Sequence, residues 1–445
     1  MAGQQYSANV TATMLEAVNK KLSYFLRKNQ SDFMKMFNKA AEKHNVSAFS
    51  DTGGSVLAWR VPVALSRGGD YQAVSLDGGD LGTGSMQKTL FMAFGTFESD
   101  IAYQVPTRAT IGTKSETQAI ANALQMAIGA AIEEQALYDE IGFFQDSTGV
   151  LATSTTTSSG TGTTATYNLE TAAFNNIRLR SYNTLVDIYD SGGVLRSTNM
   201  RITNQTLSLT APTVTVSGGS SYTPANGDQI AFPNIGTPGT VGTTTIAAGS
   251  WRNGLYTFNT TSTSGSLGGL AYSSAYELQC CTVNGQSGFF TPSLLLSGRS
   301  QLVQRRDDQA YAGIVGVCHQ AQAASWYLQG VTISNWFREK SDTMIDIVPK
   351  YGETFVAGGV THHVGRYANK SRVDWLAPKN FGWTQLAEPG FFTSPEGQRT
   401  FVARSTTTGN PQAAFQFYAY NTRQLYSVDP GCSVVYYSLA IPSGQ

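Results

Sequence analysis

Three pairs of adjacent residues, Cys280–Cys281, Cys318–His319 and His362–His363, carry the side chains that could ligate zinc. A structural zinc site takes four thiolate or imidazole ligands, in pairs spaced by about two to four residues. Neighbouring side chains in a strand point to opposite faces, so none of these pairs can close on one ion by itself. Acids suited to proton transfer are plentiful at Glu133, Glu134, Asp139 and Glu140, but they fall at the ordinary polar positions of a helical stretch. The sequence contains no phosphate-cradling G-x-x-x-x-G-K-[ST], no G-x-G-x-x-G, no H-E-x-x-H and no G-x-S-x-G elbow. No catalytic, cofactor-binding or metal residue is assigned, and an enzyme is not expected.

The elements that would have to position such residues are unusual. Between Thr11 and Asn45, Leu15, Val18, Leu22, Phe25, Leu26, Phe33, Met36, Phe37 and Ala40 recur at helical spacing, and Ser31 before Asp32 can cap a second helix. Seven basic residues there, among them Lys20, Lys21, Arg27 and Lys28, face only three acids. That face is either solvated or meets a polyanion. From Phe49 the text turns to "SVLAWRVPVAL" and "DYQAVSL", an extended hairpin with a glycine-rich tip. Its Trp59, Tyr71 and Leu81 have too little chain around them to build a core. "QKTLFMAFGTFESDIAYQVP" alternates as a strand.

One long helix follows. Thr113 and Glu116 form a capping box, and Ile120, Leu124, Ala127, Ile128, Ala131, Tyr138 and Ile141 make one apolar stripe over about 30 residues, a rod of ~45 Å. "LATSTTTSSGTGTTATYN" reads as an uncharged loop, and "LETAAFNNIRLRSYNTLVDIYDSGG" as a helix stopped by Gly192. A Thr- and Gly-rich stretch from Thr198 to Asn259, whose only charges are Arg201, Asp228 and Arg252, reads as an all-β insertion. A helix from Pro292, a mixed α/β stretch to about Trp383, and two final strands joined across Asp429, Pro430 and Gly431 complete the chain.

Composition points either to a protein that is hard to keep soluble or to a surface largely buried against other copies. Charged residues are 13% of 445, where an average soluble domain has about 25%, and 30 basic residues balance 30 acidic ones. Long-range repulsion between copies is therefore weak at the sequence pI of about 6.9. No apolar window reaches the ~18 residues needed to span a membrane. No secretory signal precedes the first helix, so sequons such as those at Asn45, Asn204, Asn259 and Asn369 are read as coincidental and the four cysteines as packing thiols of an intracellular product.

The order of parts, together with "GLYTFNTTSTSGSLGGLAYSSAYELQCCTVNG", "FTPSLLLSGRSQLVQRRD", "VAGGVTHHVGRYANKSRVDWLAPKNFGW" and "YNTRQLYSVDPGCSVVYYSLAIPSG", resembles the major capsid proteins of tailed bacteriophages, the Hong Kong ninety-seven-like fold. The resemblance implies an α+β chain divided into an N-terminal helical arm (1–48), an extended loop hairpin (49–92), a peripheral domain with a spine helix (93–197), a β-rich insertion (198–265), an axial domain (266–400) and return strands (401–445). It implies self-assembly as hexamers and pentamers into an icosahedral virion shell, assembled in the host cytoplasm around double-stranded DNA. Portal and scaffolding or decoration proteins are the implied partners, with no membrane and no cofactor. Because the arm begins almost at Met1, a separate scaffolding protein is expected. The hairpin's Trp59, Arg60, Arg67, Tyr71 and Leu81 become expected inter-subunit contacts, and Lys20, Lys21, Arg27 and Lys28 an expected genome-facing patch. An encapsulin-type compartment and a Thr/Gly-rich tail or adhesin protein are the alternatives.

Overall fold

The computed structural model of the chain describes residues 31–45, 48–51, 54–64, 86, 89–106, 116–160, 162–170, 184–206, 211–233, 251–262, 265–273, 275–306, 313–333, 352–393, 401–404 and 410–442. It is an α+β architecture.

Helix α1 (Asp32–Ala40) begins where Ser31 Oγ accepts the Met34 N–H, as its sequence position predicts. Its apolar face, Phe33, Met34 and Phe37, is buried in the chain's own core, with Phe37 set edge-on to Phe143 at 4.8 Å. The helical reading to Asn45 is corrected. The chain leaves the helix at Ala41, and β1 (Glu42–Asn45) pairs in parallel with β19 (Phe381–Gln385), a partner no local signal can announce.

The ribbon is a three-stranded sheet of β2 (Ala48–Asp51), β3 (Gly54–Ala64) and β4 (Thr89–Gly95). "DYQAVSL" and Thr113 lie outside the described residues. β3 pairs instead with the first half of the text that was read as one later strand. The second half is β5 (Ser99–Pro106), in a different sheet.

Helix α2 (Glu116–Phe143) is 28 residues long, or about 42 Å. Its Ala, Glu, Gln and Leu content favours helix throughout, and Ile128, Ala131 and Ile141 of the expected stripe are buried, with Tyr138 half-buried.

The Thr-rich text after α2 folds as strands. β6 (Val150–Ser159), β7 (Gly162–Leu169), β8 (Leu185–Tyr189), β9 (Leu195–Thr206), β10 (Thr213–Tyr222) and β11 (Gln229–Ala231) close a barrel in the order β10-β7-β6-β11-β8-β9. Three expectations change. The uncharged loop is two strands, because β-branched threonines suit a pleated surface while Ala165, Tyr167 and Leu169 point into the barrel core. The "LVDIY" text is strand and not helix, and the boundary drawn between 197 and 198 falls inside β9.

After a short hairpin of β12 (Ser266–Leu267) and β13 (Leu270–Ala271), the second core is a six-stranded mixed sheet in the order β14 (Cys281–Asn284), β24 (Val434–Tyr437), β18 (Val373–Leu376), β15 (Val315–Cys318), β17 (Val360–Val364), β16 (Thr354–Ala357). Helices α3 (Pro292–Arg306) and α4 (Gln320–Ile333) share one of its faces: Leu295 and Leu302 of α3 and Ala323 of α4 join Phe355, Trp375 and Tyr436 in one buried cluster. Gly298 is glycine for a reason: a Cβ there would overlap the Tyr436 ring. The opposite face meets α1 and the end of α2, where His363 lies 5.5 Å from Phe33.

The chain ends in three strands, not two. β22 (Pro411–Asn421) lies between β5 on one side and β20 (Gly390–Phe391) and β21 (Phe401–Arg404) on the other, β23 (Gln424–Ser427) pairs with β19, and β24 follows a 3-10 turn at Pro430–Cys432.

Candidate assembly surfaces

The residues that could do chemistry are dispersed by the fold. His362 and His363 sit on opposite faces of the six-stranded sheet, as adjacent strand residues must. His362 Nε2 accepts from Trp375 Nε1 at 2.9 Å, which leaves Nδ1–H to donate to the Val360 carbonyl at 2.9 Å. The ring is neutral and fully partnered, and burial lowers its pKa to about 4. His319 Nδ1 accepts the Ala321 N–H at 3.0 Å and so serves the start of α4. Cys280 Sγ donates to the Thr260 carbonyl, and burial raises the Cys280 and Cys318 thiols, which makes them poor nucleophiles. Among the described residues no group of three His, Cys, Asp or Glu is placed to hold a metal ion.

The acids of α2 have structural work. Asp139 accepts Arg252 Nη1 at 2.7 Å and Asn421 Nδ2 at 2.6 Å, all nearly buried, while Arg252 Nη2 donates to the Tyr138 carbonyl. A cation thus sits at the C-terminal end of the helix, where the macrodipole favours one, and ties the long rod to the segment after the barrel and to the end of β22. Glu134 accepts the Tyr103 hydroxyl, which joins α2 to β5. Arg252 was one of three charges in a long neutral stretch, and Asp228, a second, is also buried and faces Arg196 at 3.3 Å. Isolated charges in uncharged text were the signal for these locks.

Arm and ribbon meet at one aromatic stack. The His44 ring of β1 lies 4.1 Å from Trp59 of β3 at an interplanar angle of 11°, and Tyr426 of β23 closes on Trp59 at 4.5 Å. Trp59, expected as an inter-subunit contact, therefore packs on its own chain. The pleat explains this. Trp59, Val61 and Val63 pair with Phe94, Met92 and Leu90 on the ribbon's inner face, where Met92 and Phe94 are buried. Arg60 and Pro62 pair with Ala93 and Phe91 on the outer face, where Arg60 and Pro62 are exposed and Phe91 is 59% exposed. Met86, just before β4, is 91% exposed. Arg67, Tyr71 and Leu81 lie outside the described residues, as do Lys20, Lys21, Arg27 and Lys28.

Of the arm's other basic residues, Lys35 pairs with Asp32 at 2.8 Å and Lys43 with Glu388 at 2.9 Å. Glu388 also accepts from Arg423, and although burial opposes it, these partners hold its pKa at about 2. Lys43 therefore fastens β1 to the body.

No family model and no curated protein sequence matches the chain. Solved structures do. The chain is similar to the capsid of cyanophage A-1(L), at 8% identity and a TM-score of 0.48, over 92% of this chain and 93% of that one. It is similar to the capsid of a native GTA particle, at 10% identity and a TM-score of 0.40, over 90% and 89%. It is also similar to the SrpI encapsulin complex from Synechococcus elongatus, at 8% identity and a TM-score of 0.40, over 92% and 88%. Each likeness spans nearly the whole chain, at identities that carry no residue-by-residue correspondence.

Proposed function

We propose that this chain is a structural shell subunit that assembles with copies of itself, as hexamers and pentamers, into a closed icosahedral capsid around double-stranded DNA, with portal and scaffolding or decoration proteins as further partners. The observation that carries the reading is the ribbon. Its root is bolted to the body by Trp59, Tyr426 and His44, while its outer face presents Phe91 and Pro62 to solvent. So small a sheet has little core of its own, and apolar groups held out on it gain most when another chain covers them. The low charge supports the same reading, since association between near-neutral surfaces meets little repulsion.

The four residues Lys20, Lys21, Arg27 and Lys28 are the proposed phosphate-facing patch. Lys35 and Lys43 do not join it, because their charges are met within the chain. Contacts of this kind are salt-dependent and read no base sequence.

Deleting Ser66 to Gly84 tests the ribbon. The contacts of Trp59 with His44 and Tyr426 lie outside the deleted stretch, so the shortened chain is expected to keep its circular dichroism and melting cooperativity while sedimenting as unassembled subunits. Particles of normal size from the deletion would sink the assignment.

A further inference from the structure

Three elements meet on the imidazole of His44. It lies flat on the indole of Trp59, at 4.1 Å and 11°, with the Tyr426 ring 5.6 Å away, so that the arm strand β1 is joined to the ribbon strand β3 over β23. Its Nε2 is shielded from water and makes no hydrogen bond, yet the Glu42 carboxylate stands 3.3 Å away, too poorly aligned to accept one. The Glu42 side chain is 72% exposed and is free to swing toward that nitrogen. A buried polar atom without a partner is unfavourable, and a proton on Nε2 would give it a charge-assisted one.

The flat side of the ring favours the same charge state. An indole face attracts positive charge more strongly than the other aromatic side chains do. An imidazolium at His44 is thus held between an indole and a carboxylate, whereas a neutral ring has the stacking contact alone. The groups around it do not oppose the charge. Tyr426 stays a neutral phenol, because burial and the Glu42 carboxylate push its ionisation up. Thr384, in register with His44 on β19, is uncharged. Lys43 and Arg60, each next in sequence to one of the stacked residues, lie on the opposite faces of their strands, Lys43 against Glu388.

We propose that His44 is a proton-operated latch between arm and ribbon. Protonated, it holds the root of the ribbon on β1 through Trp59 and Glu42; neutral, it lets that root loosen. Histidines change charge between about pH 5 and 8, so the latch tightens on mild acidification. The device lies within one chain and does not depend on the assembly reading.

Tryptophan fluorescence of the full chain across that pH range reads the latch, since a protonated imidazole in contact with an indole quenches its emission. The expected result is a fall in emission as pH drops, absent from Trp59→Phe and from His44→Gln. Trp375, which donates to His362, adds no step there, because His362 takes its proton only at about pH 4. A fall that persists in His44→Gln would overturn the proposal. A double-mutant cycle of His44→Gln and Trp59→Phe, followed by urea, separates a latch from a merely structural stack. The coupling between the two sites, as an equilibrium constant, should be on the order of five-fold larger at the acid end of the range than at the alkaline end. Equal coupling at both ends would also overturn it. Glu42→Gln changes an exposed side chain and decides the matter should His44→Gln fail to fold: it is expected to move the fluorescence step to lower pH, and an unmoved step contradicts the latch.

Discussion

Gly142→Ala is expected to lower the unfolding free energy by about 2–4 kcal/mol, although alanine is the better helix former. A Cβ at Gly142 would overlap the Arg252 guanidinium, which crosses the helix there to reach Asp139 and the Tyr138 carbonyl. Alanine gains about 1 kcal/mol of helix propensity over glycine. Displacing the guanidinium leaves Asp139 buried with Asn421 as its remaining side-chain partner, and breaking a buried pair costs about 3–5 kcal/mol. The lost pair outweighs the propensity. Arg252→Met should cost a similar amount, and the double variant little more than either single one, because both remove the same interaction. Urea titration of the four proteins measures this. A neutral or stabilising Gly142→Ala would show that Arg252 does not grip the helix.

Acid should weaken the six-stranded core well before it reaches the carboxylates. His362 is held neutral: Trp375 donates to its Nε2, Phe355 stacks on it at 4.9 Å, and Gly316 passes so close that a Cβ there would overlap the ring. A proton on Nε2 would set donor against donor. With the folded pKa near 4 and an unfolded value of 6.5, the unfolded chain binds the proton first as pH falls. Stability is therefore complete above pH 6.5, falls through the window from 6.5 to 4, and loses about 3 kcal/mol in all. Burial also lowers His363, on the opposite face beside Phe33, and it adds to the same slope. The Glu388 contribution is lost only below its ordinary value of 4.5, toward about 2, outside most of that window. In denaturant titrations at stepped pH, His362→Gln should flatten the slope between 6.5 and 4. An unchanged slope would place the acid sensitivity elsewhere.

Local signals in the sequence were enough for elements whose causes are local. The Ser31 cap, the Ala- and Glu-rich long helix, the helix from Pro292 and the turn at Pro430 all form where their residues indicate. Elements fixed by distant partners were not legible. The chain leaves the arm helix because β19, more than 300 residues on, offers β1 a parallel edge. The apolar spacing of Tyr182, Leu185, Val186 and Tyr189 mimics a helix, yet Leu185–Tyr189 is a barrel strand whose neighbours β9 and β11 lie further along the chain. Threonine misled in the same way: uncharged repetition looks like a linker until the residues between the threonines, Ala165 and Tyr167, are seen to be buried. For the assembly surfaces, alternation along β3 was visible. Which face was inward was not, because it depends on the Trp59 contact with His44 and Tyr426.

Electron microscopy of the purified chain, with sedimentation of the same sample, tests the central claim most directly. A ribbon with an exposed apolar outer face and a chain with few charges predict closed shells, or flat arrays of rings where closure fails, in equilibrium with few free subunits. Well-dispersed monomers that persist at high protein concentration and near-neutral pH would contradict the account.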